Sequence, residues 1–188
     1  MTATGPAIKK GGNPFGAHRV LEPRGGLPQP AVKLDNTTDF IYDNELLVDV
    51  DTLNIDSASF TQIRKECGGD GERIKSAILS IVAERGKMQN PVTGSGGMFI
   101  GRVEKIGPAL EGRTDLHAGD KIASLVSLSL TPLKIEKIIG IKPGTEQVSV
   151  KAKAIIFESG IYAKIPADIP EKLALAMLDV AGAPAQTA

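Results

Sequence analysis

The sequence predicts a mainly β fold with a few helices, and two observations point to it. Short apolar runs recur along the chain, and Gly and Pro turns separate them, which is typical of strands. One stretch between Asp70 and Gly86 has the periodicity of an amphipathic helix. Because open strand edges attract other chains, we expect the strands to form a small, partly closed barrel.

The N-terminal quarter of the chain differs in composition from the rest. Gly and Pro recur through it, and residues 27–30 (LPQP) have the pattern of an extended, polyproline-like segment. We therefore expect either an arm that lies across the folded body or a flexible tail. The predicted organisation is an arm over residues 1–44, a main domain over residues 45–168 and a linker helix over residues 169–188.

The main domain begins with a predicted strand and a polar turn. Between residues 46 and 51, apolar and polar positions alternate as in a half-buried strand. A polar segment follows, residues 54–59 (NIDSAS), which we call the elbow. In it, Ser57 or Ser59 can cap a short helix, because their hydroxyls can accept from free amides at a helix start.

The strongest helix prediction covers about residues 71–85. Its apolar positions fall on one face at helical spacing. They are Ile74, Ala77, Ile78, Ile81 and Val82. Asp70 is the expected N-cap, and Gly86 stands where a left-handed C-cap is favoured.

The second half of the chain predicts further strands separated by Gly and Pro turns. They cover residues 98–106, 121–130, 133–141, 147–157 and 161–165. Asp168 and Pro170 can start a last helix. Its apolar face would contain Leu173, Ala176, Met177 and Val180.

A glycine-rich stretch between the long helix and the following strand is the main candidate for a binding loop. Four glycines lie between residues 94 and 101, next to Asn90, Thr93 and Ser95. Glycine permits positive φ and close approach of the backbone, and small polar residues suit contact with a ligand. A tight turn with nothing bound explains the same pattern. We call residues 87–97 the glycine loop.

Composition argues against several classes of partner. Formal net charge is zero and aromatic residues make up 4%, so we expect neither a nucleic acid nor a membrane as partner. The sequence has no apolar run long enough to span a bilayer and no signal peptide pattern at its start. With a single cysteine it forms no intrachain disulfide, and the expected location is the cytoplasm.

Metal and nucleotide motifs are also missing from the sequence. Cys67, His18 and His117 are widely separated, which disfavours zinc, and the histidines are expected to be bystanders. Gly69 and Gly71 precede a helix but do not complete a dinucleotide fingerprint. We therefore expect no metal and no complete nucleotide site in this chain.

The order of motifs nevertheless resembles a known superfamily. It consists of a strand with the NIDSASF elbow, then PVTGSGGMFIGRVEKIGP, HAGDKI and the AKIPADIPEKLALAMLDVAGAPAQTA linker. Together these resemble the GroES-like N-terminal half of the medium-chain dehydrogenase/reductase superfamily over residues 45–188. The KMQNPVTGSGGM stretch and the GNPFGAHRVLEPRGGLPQPA arm are similar to the 3,5-diaminohexanoate dehydrogenase family.

This resemblance implies a reaction and a missing partner domain. The reaction is the NAD-dependent oxidative deamination of 3,5-diaminohexanoate to 5-amino-3-oxohexanoate in lysine fermentation. Residues 45–168 would be the GroES-like catalytic domain, and the nucleotide-binding (Rossmann) half, absent here, would follow the linker. NAD would be bound mainly by that half, with Thr187 as the cofactor-binding candidate of this chain, and the full-length enzyme would be a homodimer.

The resemblance also implies a zinc-free site, in which the glycine loop faces the cleft toward the nucleotide-binding domain and Asp56 of the elbow lies nearby. Zinc-dependent relatives have a cysteine in the elbow, where this chain has Asp56 and Ser57. They have Gly-His-Glu before the next strand, where residues 96–98 are Gly-Gly-Met. Proton transfer would then depend on side chains and water.

The candidate residues divide into catalytic and binding groups. Asp56 is expected to act as base or ammonium anchor with Ser57 beside it, and Lys87 to pair with the substrate carboxylate. The expected substrate-binding residues are Ser59, Gln89, Asn90, Thr93, Ser95, Gly96, Gly97 and, for the remote ammonium, Glu158. Ordinary capping, turn and surface roles explain the same residue types. A non-catalytic GroES-like interaction module and a zinc-free quinone or enoyl reductase remain alternative functions.

Overall fold

A computed structural model describes residues 5–142 and 144–166 of the chain. Its strands are β1 Ala7–Lys9, β2 Val20–Glu22, β3 Lys33–Leu34, β4 Phe40–Tyr42, β5 Glu45–Ile55, β6 Gly97–Ile106, β7 Lys121–Ser124, β8 Leu133–Ile141, β9 Gln147–Phe157 and β10 Tyr162–Lys164. Its α-helices are α1 Ser57–Glu66 and α2 Gly71–Arg85, and two short 3₁₀ helices are Ala17–Arg19 and Pro108–Leu110. The predicted mainly β class with a few helices is confirmed. The predicted C-terminal helix lies outside the described residues.

The main sheet is open. Six strands are hydrogen-bonded in the order β10-β7-β6-β5-β9-β8, and every pair is antiparallel. Within the described part of the chain the edge strands β8 and β10 do not pair with each other. The partial closure expected from the sequence is therefore not seen.

The central strand β5 changes its buried face along its length. Leu46, Val48 and Val50 are buried in the main core, as the alternation predicted. The register with both neighbours shifts between Val50 and Thr52. Such a bulge reverses the alternation, so that Leu53 and Ile55 enter the same core.

Helices α1 and α2 cover the core face of the sheet. Phe60 and Ile63 of α1 and Ile74, Ile78 and Val82 of α2 belong to the same buried cluster as β5. The predicted bounds and both predicted caps of α2 are confirmed. Asp70 accepts from the Arg73 amide, and Gly86 has φ +66°.

The described part of the arm is folded onto the body. β1 pairs with β4 and β2 pairs with β3, so the arm has two small sheets of its own. Ile41 of β4 packs with Leu47 of β5 and Ile155 of β9, on the face of the sheet that points away from the helices. Of the two expectations for the arm, the packed segment is the one seen over residues 5–44.

Two predicted strands are shorter than expected. The strand predicted over residues 121–130 ends at Ser124, because the Ser124 hydroxyl donates to the Val126 carbonyl and accepts from the Val126 amide. The last strand covers only Tyr162–Lys164.

No helix among the described residues is long and apolar enough to cross a membrane.

Candidate functional site

The elbow and the glycine loop meet where β5 ends and β6 begins. β5 and β6 are neighbours in the sheet, with Ile55 opposite Gly97. The Asp56 amide donates to the Gly96 carbonyl over 3.3 Å. The sheet thus holds together two segments that are about 40 residues apart in sequence, as was expected from the resemblance.

A cluster of three hydroxyl groups lies at this junction. The Ser59 Oγ atom is 2.6 Å from Thr93 Oγ1 and 2.9 Å from Ser95 Oγ, and the last two atoms are 3.0 Å apart. Ser59 is fully buried, whereas Thr93 is exposed. The cluster therefore extends from the α1 side to the surface, and each hydroxyl can donate or accept.

Asp56 caps α1 with one carboxylate oxygen and leaves the other without a partner. Its Oδ1 atom accepts from the Ser59 amide over 3.0 Å, so the N-cap is Asp56 and neither of the two predicted serines. Its Oδ2 atom is buried and has no hydrogen-bond partner among the described residues. A buried carboxylate oxygen without a partner is costly unless a donor or cation reaches it.

The Asn90 side chain makes its hydrogen bonds to other residues of the protein. It is fully buried, and its Nδ2 atom donates to the Ser59 carbonyl and to Gln62 Oε1. Its Oδ1 atom accepts from the Val92 amide, which closes a turn of the glycine loop. Asn90 thus fixes the glycine loop to α1.

Gly96 and Gly97 are glycines because the backbone is crowded on both sides. A Cβ atom on Gly96 would lie 2.5 Å from the Met88 carbonyl oxygen and 2.5 Å from the Ser129 amide nitrogen. Gly97 has φ +112°, and a Cβ atom there would overlap the Asn54 carbonyl oxygen. Because Gly96 has no side chain, the segment that contains Ser129 can lie close to the backbone that contacts the elbow.

Lys87 is completely buried and binds the arm. Its Nζ atom donates to the Pro28 carbonyl over 2.7 Å and to the Gln29 carbonyl over 3.1 Å. Burial, together with the charge of Arg85, lowers the pKa of Lys87 to about 8. Its predicted role toward a substrate carboxylate stays a prediction.

The segment that Lys87 binds is the loop between β2 and β3, residues 23–32, which we call the arm loop. Gln29 is its main point of contact. The Gln29 carbonyl also accepts from Gln89 Nε2 over 3.2 Å, and the Gln29 Oε1 atom accepts from the Ser129 hydroxyl over 2.7 Å. Sequence analysis missed Gln29 and Ser129, because their separation in the chain gives no local signal.

The structure does not bring Glu158 to the glycine loop. Glu158 follows Phe157, which pairs with Glu45 at the start of β5, whereas Asp56 follows the end of that strand. A strand of 11 residues spans about 35 Å. Glu158 instead binds Arg113 over 2.6 Å and Asn44 over 3.0 Å, and these bonds lower the pKa of its carboxyl.

Ser57 also points away from the loop. It is exposed, and its hydroxyl lies 3.3 Å from Glu146 Oε1. Of the candidates from the sequence, the structure therefore gathers Asp56 and eight others around the glycine loop. These are Ser59, Lys87, Gln89, Asn90, Thr93, Ser95, Gly96 and Gly97.

A cavity of about 270 Å³ opens between the arm loop and the sheet. Its walls are mostly apolar and include Leu27, Leu130 and Phe157. Gln29 and Thr131 line it as well. Through Gln29, the cavity adjoins the glycine loop.

The start of α2 does not fit the pyrophosphate of a dinucleotide. At the start of α2, Gly68 and Gly69 have positive φ, but α1 rather than a strand precedes them. The Asp70 carboxylate already caps the first turn, where it would repel a phosphate. Thr187 lies outside the described residues, which contain no group of three or more His, Cys, Asp or Glu side chains suited to a metal.

Comparison with known proteins adds the family. A family model described as the L-erythro-3,5-diaminohexanoate dehydrogenase N-terminal domain matches residues 18–166. The chain belongs to this family. The match includes the elbow, the glycine loop and the arm loop, so all the parts of the candidate site are parts of the L-erythro-3,5-diaminohexanoate dehydrogenase N-terminal domain.

Two curated relatives carry the name L-erythro-3,5-diaminohexanoate dehydrogenase. The protein from Acetoanaerobium sticklandii is 66% identical over 174 residues, which are 93% of this chain and 50% of the relative. The protein from Fusobacterium nucleatum is 66% identical over 179 residues, which are 95% of this chain and 52% of the relative. The chain thus spans about half the length of the curated relatives it matches.

Proposed function

We propose that the chain is the substrate-binding N-terminal part of a zinc-free, NAD-dependent dehydrogenase that deaminates 3,5-diaminohexanoate in lysine fermentation. The single observation that carries the proposal is the 66% identity with dehydrogenases of that name over more than nine-tenths of the chain. In the overall reaction the amine carbon gives a hydride to NAD, and water replaces the nitrogen. The products are 5-amino-3-oxohexanoate, ammonium and NADH.

Asp56 is the residue to which we assign the reacting ammonium. Its Oδ2 atom is buried without a partner, and an ammonium group supplies both the charge and the hydrogen bond that this oxygen lacks. The Oδ1 atom is already held by the Ser59 amide. The cap therefore fixes the orientation of the carboxylate before any substrate binds.

Proton removal is the second task of the site. The ammonium must lose a proton before its nitrogen can expel a hydride from the adjacent carbon. Asp56 can accept this proton, and the hydrogen-bonded hydroxyls of Ser59, Ser95 and Thr93 lie at the same junction and extend to the exposed edge. A positioned group of this kind accelerates a reaction by about 10²–10⁴-fold.

The remaining half of the relatives' length is the proposed place for NAD. We propose a GroES-like, medium-chain dehydrogenase arrangement, in which a nucleotide-binding domain faces the glycine loop and Thr187 contributes to the cofactor site. The Asp70 carboxylate at the start of α2 would repel a pyrophosphate there, which supports this division. A homodimer of the full-length protein stays a prediction.

The test is turnover by the full-length protein. Purified enzyme is mixed with 3,5-diaminohexanoate and NAD after treatment with a chelator, and NADH and ammonium are measured together. Equal amounts of both products support the proposal. NADPH-dependent reduction of a quinone or an enoyl substrate, with no deamination, would overturn it.

A further inference from the structure

We propose that the arm loop forms one wall of the substrate site, with the Gln29 side-chain amide binding the substrate carboxylate and Lys87 acting as its positioning residue. This inference rests on the proposed function, because the carboxylate belongs to the proposed substrate. It adds a binding group from a segment that sequence analysis treated as an arm or a tail. Four observations carry it.

The first observation is that Gln29 is held from three sides. Its carbonyl accepts from Lys87 Nζ over 3.1 Å and from Gln89 Nε2 over 3.2 Å, and its side-chain oxygen accepts from Ser129 over 2.7 Å. Gln89 also donates to the Gly94 carbonyl. The side chain is thus fixed relative to the glycine loop, and a fixed group binds a ligand with little loss of entropy.

The second observation is that the Gln29 amide still has hydrogens to give. Within residues 5–142 and 144–166, nothing accepts a hydrogen bond from its Nε2 atom. Gln29 is exposed and lines the cavity of about 270 Å³. An amide N–H at the edge of such a cavity can donate to a carboxylate that enters it.

The third observation is a series of contacts that connects Gln29 with Asp56. Ser129, which binds the Gln29 side chain, packs against Gly96 on one side. The Gly96 carbonyl accepts from the Asp56 amide. One glycine residue therefore separates the segment that holds Gln29 from the proposed ammonium anchor.

The fourth observation concerns Lys87, whose contacts fit a positioning role. Its side chain is fully buried and gives two hydrogen bonds to arm-loop carbonyls. Because Lys87 is fully buried, a carboxylate could reach its Nζ atom only after the surrounding residues move. Lys87 thus acts on the substrate through Gln29.

The first experiment tests the wall without any substrate. Trypsin is added to the 188-residue chain, and cleavage after the exposed Arg24 in the arm loop is followed by mass spectrometry. Lys87→Met keeps the apolar stem and removes both hydrogen bonds, so we expect cleavage to become at least about tenfold faster. Lys65→Met, at an exposed site on α1, should leave the rate unchanged. Equal rates in all three proteins would overturn the positioning role.

The second experiment tests the carboxylate contact by steady-state kinetics of the full-length protein. Gln29→Glu places an acceptor where the amide donates, so KM for 3,5-diaminohexanoate should rise at least about tenfold while kcat changes less than about threefold. Thr61→Glu adds the same charge at an exposed site on α1 and should change neither. If the wild type turns over and Gln29→Glu has the wild-type KM, the inference is wrong.

Two other outcomes distinguish this inference from the proposed function and from direct binding of the carboxylate by Lys87. A wild type without turnover would remove the proposed function and the carboxylate contact with it. A rise of KM in Lys87→Met with no change in the rate of arm-loop cleavage would show that Lys87 binds the carboxylate directly, and would overturn the assignment to Gln29.

Discussion

Arg19 and Glu45 form a bidentate ion pair in which both side chains are fully buried. The Arg19 Nε atom lies 2.9 Å from Glu45 Oε1, and Nη2 lies 2.6 Å from Oε2. The His18 ring also binds Glu45 over 2.7 Å. Because Arg19 precedes β2 and Glu45 begins β5, this pair fixes the arm to the central strand.

Removing one partner of this pair should be costly. Arg19→Met removes the guanidinium charge and two hydrogen bonds from the buried Glu45 carboxylate, so we expect the free energy of unfolding to fall by about 3–5 kcal/mol in urea denaturation. The matched control is the exposed pair of Lys151 and Glu136, where Lys151→Met should cost less than about 1 kcal/mol. Equal losses in the two variants would contradict the buried role.

The same pair predicts a dependence of stability on acid pH. Burial raises the pKa of Glu45, but hydrogen bonds from His18 and Arg19 outweigh it, and the pKa lies below the ordinary 4.5. The pair therefore contributes stability above pH 4.5, and this contribution disappears as the pH falls through the lowered pKa. The free energy of unfolding, measured by urea denaturation between pH 6 and 3, should fall less steeply with decreasing pH for Glu45→Gln than for the wild type.

Lys87 predicts a dependence of stability on alkaline pH. Its pKa is about 8 in the folded chain and 10.5 as the reference value, so the unfolded chain binds more protons between these values. The free energy of unfolding should therefore rise between pH 8 and 10, by at most about 3 kcal/mol. Lys87→Met should remove this rise in urea denaturation, and a wild-type curve that is flat or falling there would refute the effect.

The two positive-φ glycines of the glycine loop should respond differently to alanine. Gly97→Ala adds a Cβ atom that overlaps the Asn54 carbonyl oxygen, so we expect a loss of about 3 kcal/mol or more in thermal unfolding. Gly94 has φ +74° with nothing within 4 Å of a Cβ, so Gly94→Ala should cost only about 1–2 kcal/mol. A Gly97→Ala variant as stable as Gly94→Ala would mean that the backbone there can move.

Asp56→Asn separates catalysis from capping. Asn is also a good N-cap, so the stability of the full-length protein should change by less than about 1 kcal/mol. If Asp56 binds the ammonium or takes its proton, kcat/KM should fall by about 10²–10⁴-fold. The control is Asp70→Asn, which alters the equivalent cap of α2 and should leave kcat/KM unchanged. Wild-type kcat/KM in Asp56→Asn would exclude it from the reaction.

The local elements were largely predictable from the sequence. Helix α2 was predicted with both caps, because the Asp70 and Gly86 signals and the apolar spacing all lie within one short segment. The meeting of elbow and glycine loop was also expected, but from the resemblance rather than from local patterns. The bulge near Thr52 could not be predicted, since alternation alone does not show where a register shifts.

The contacts of charged side chains were not predictable. Lys87 was expected to face a substrate, and the carbonyls that it binds belong to residues 59 and 58 positions earlier in the chain. Nothing in the sequence near Lys87 indicates a buried lysine. Its partners are backbone carbonyls of the arm loop, and every residue type has such an acceptor, so the side chains there give no signal. Glu158 was placed with the site on its residue type alone, and only strand pairing reveals its distance from Asp56.

The position of β5 between β6 and β9 has a consequence for how the chain folds. Glu45 pairs with Phe157, so the middle strand gains its second neighbour only when a segment roughly 100 residues further along the chain is available. On the ribosome, β5, both helices and β6 can assemble first, with one edge of β5 still bare. Ile155 and Phe157 of β9 also pack with Ile41 of the arm, so the packing of the arm against the sheet is complete only after β9 joins. The arm, which precedes the main sheet in the chain, is therefore among the last parts to be fixed in place.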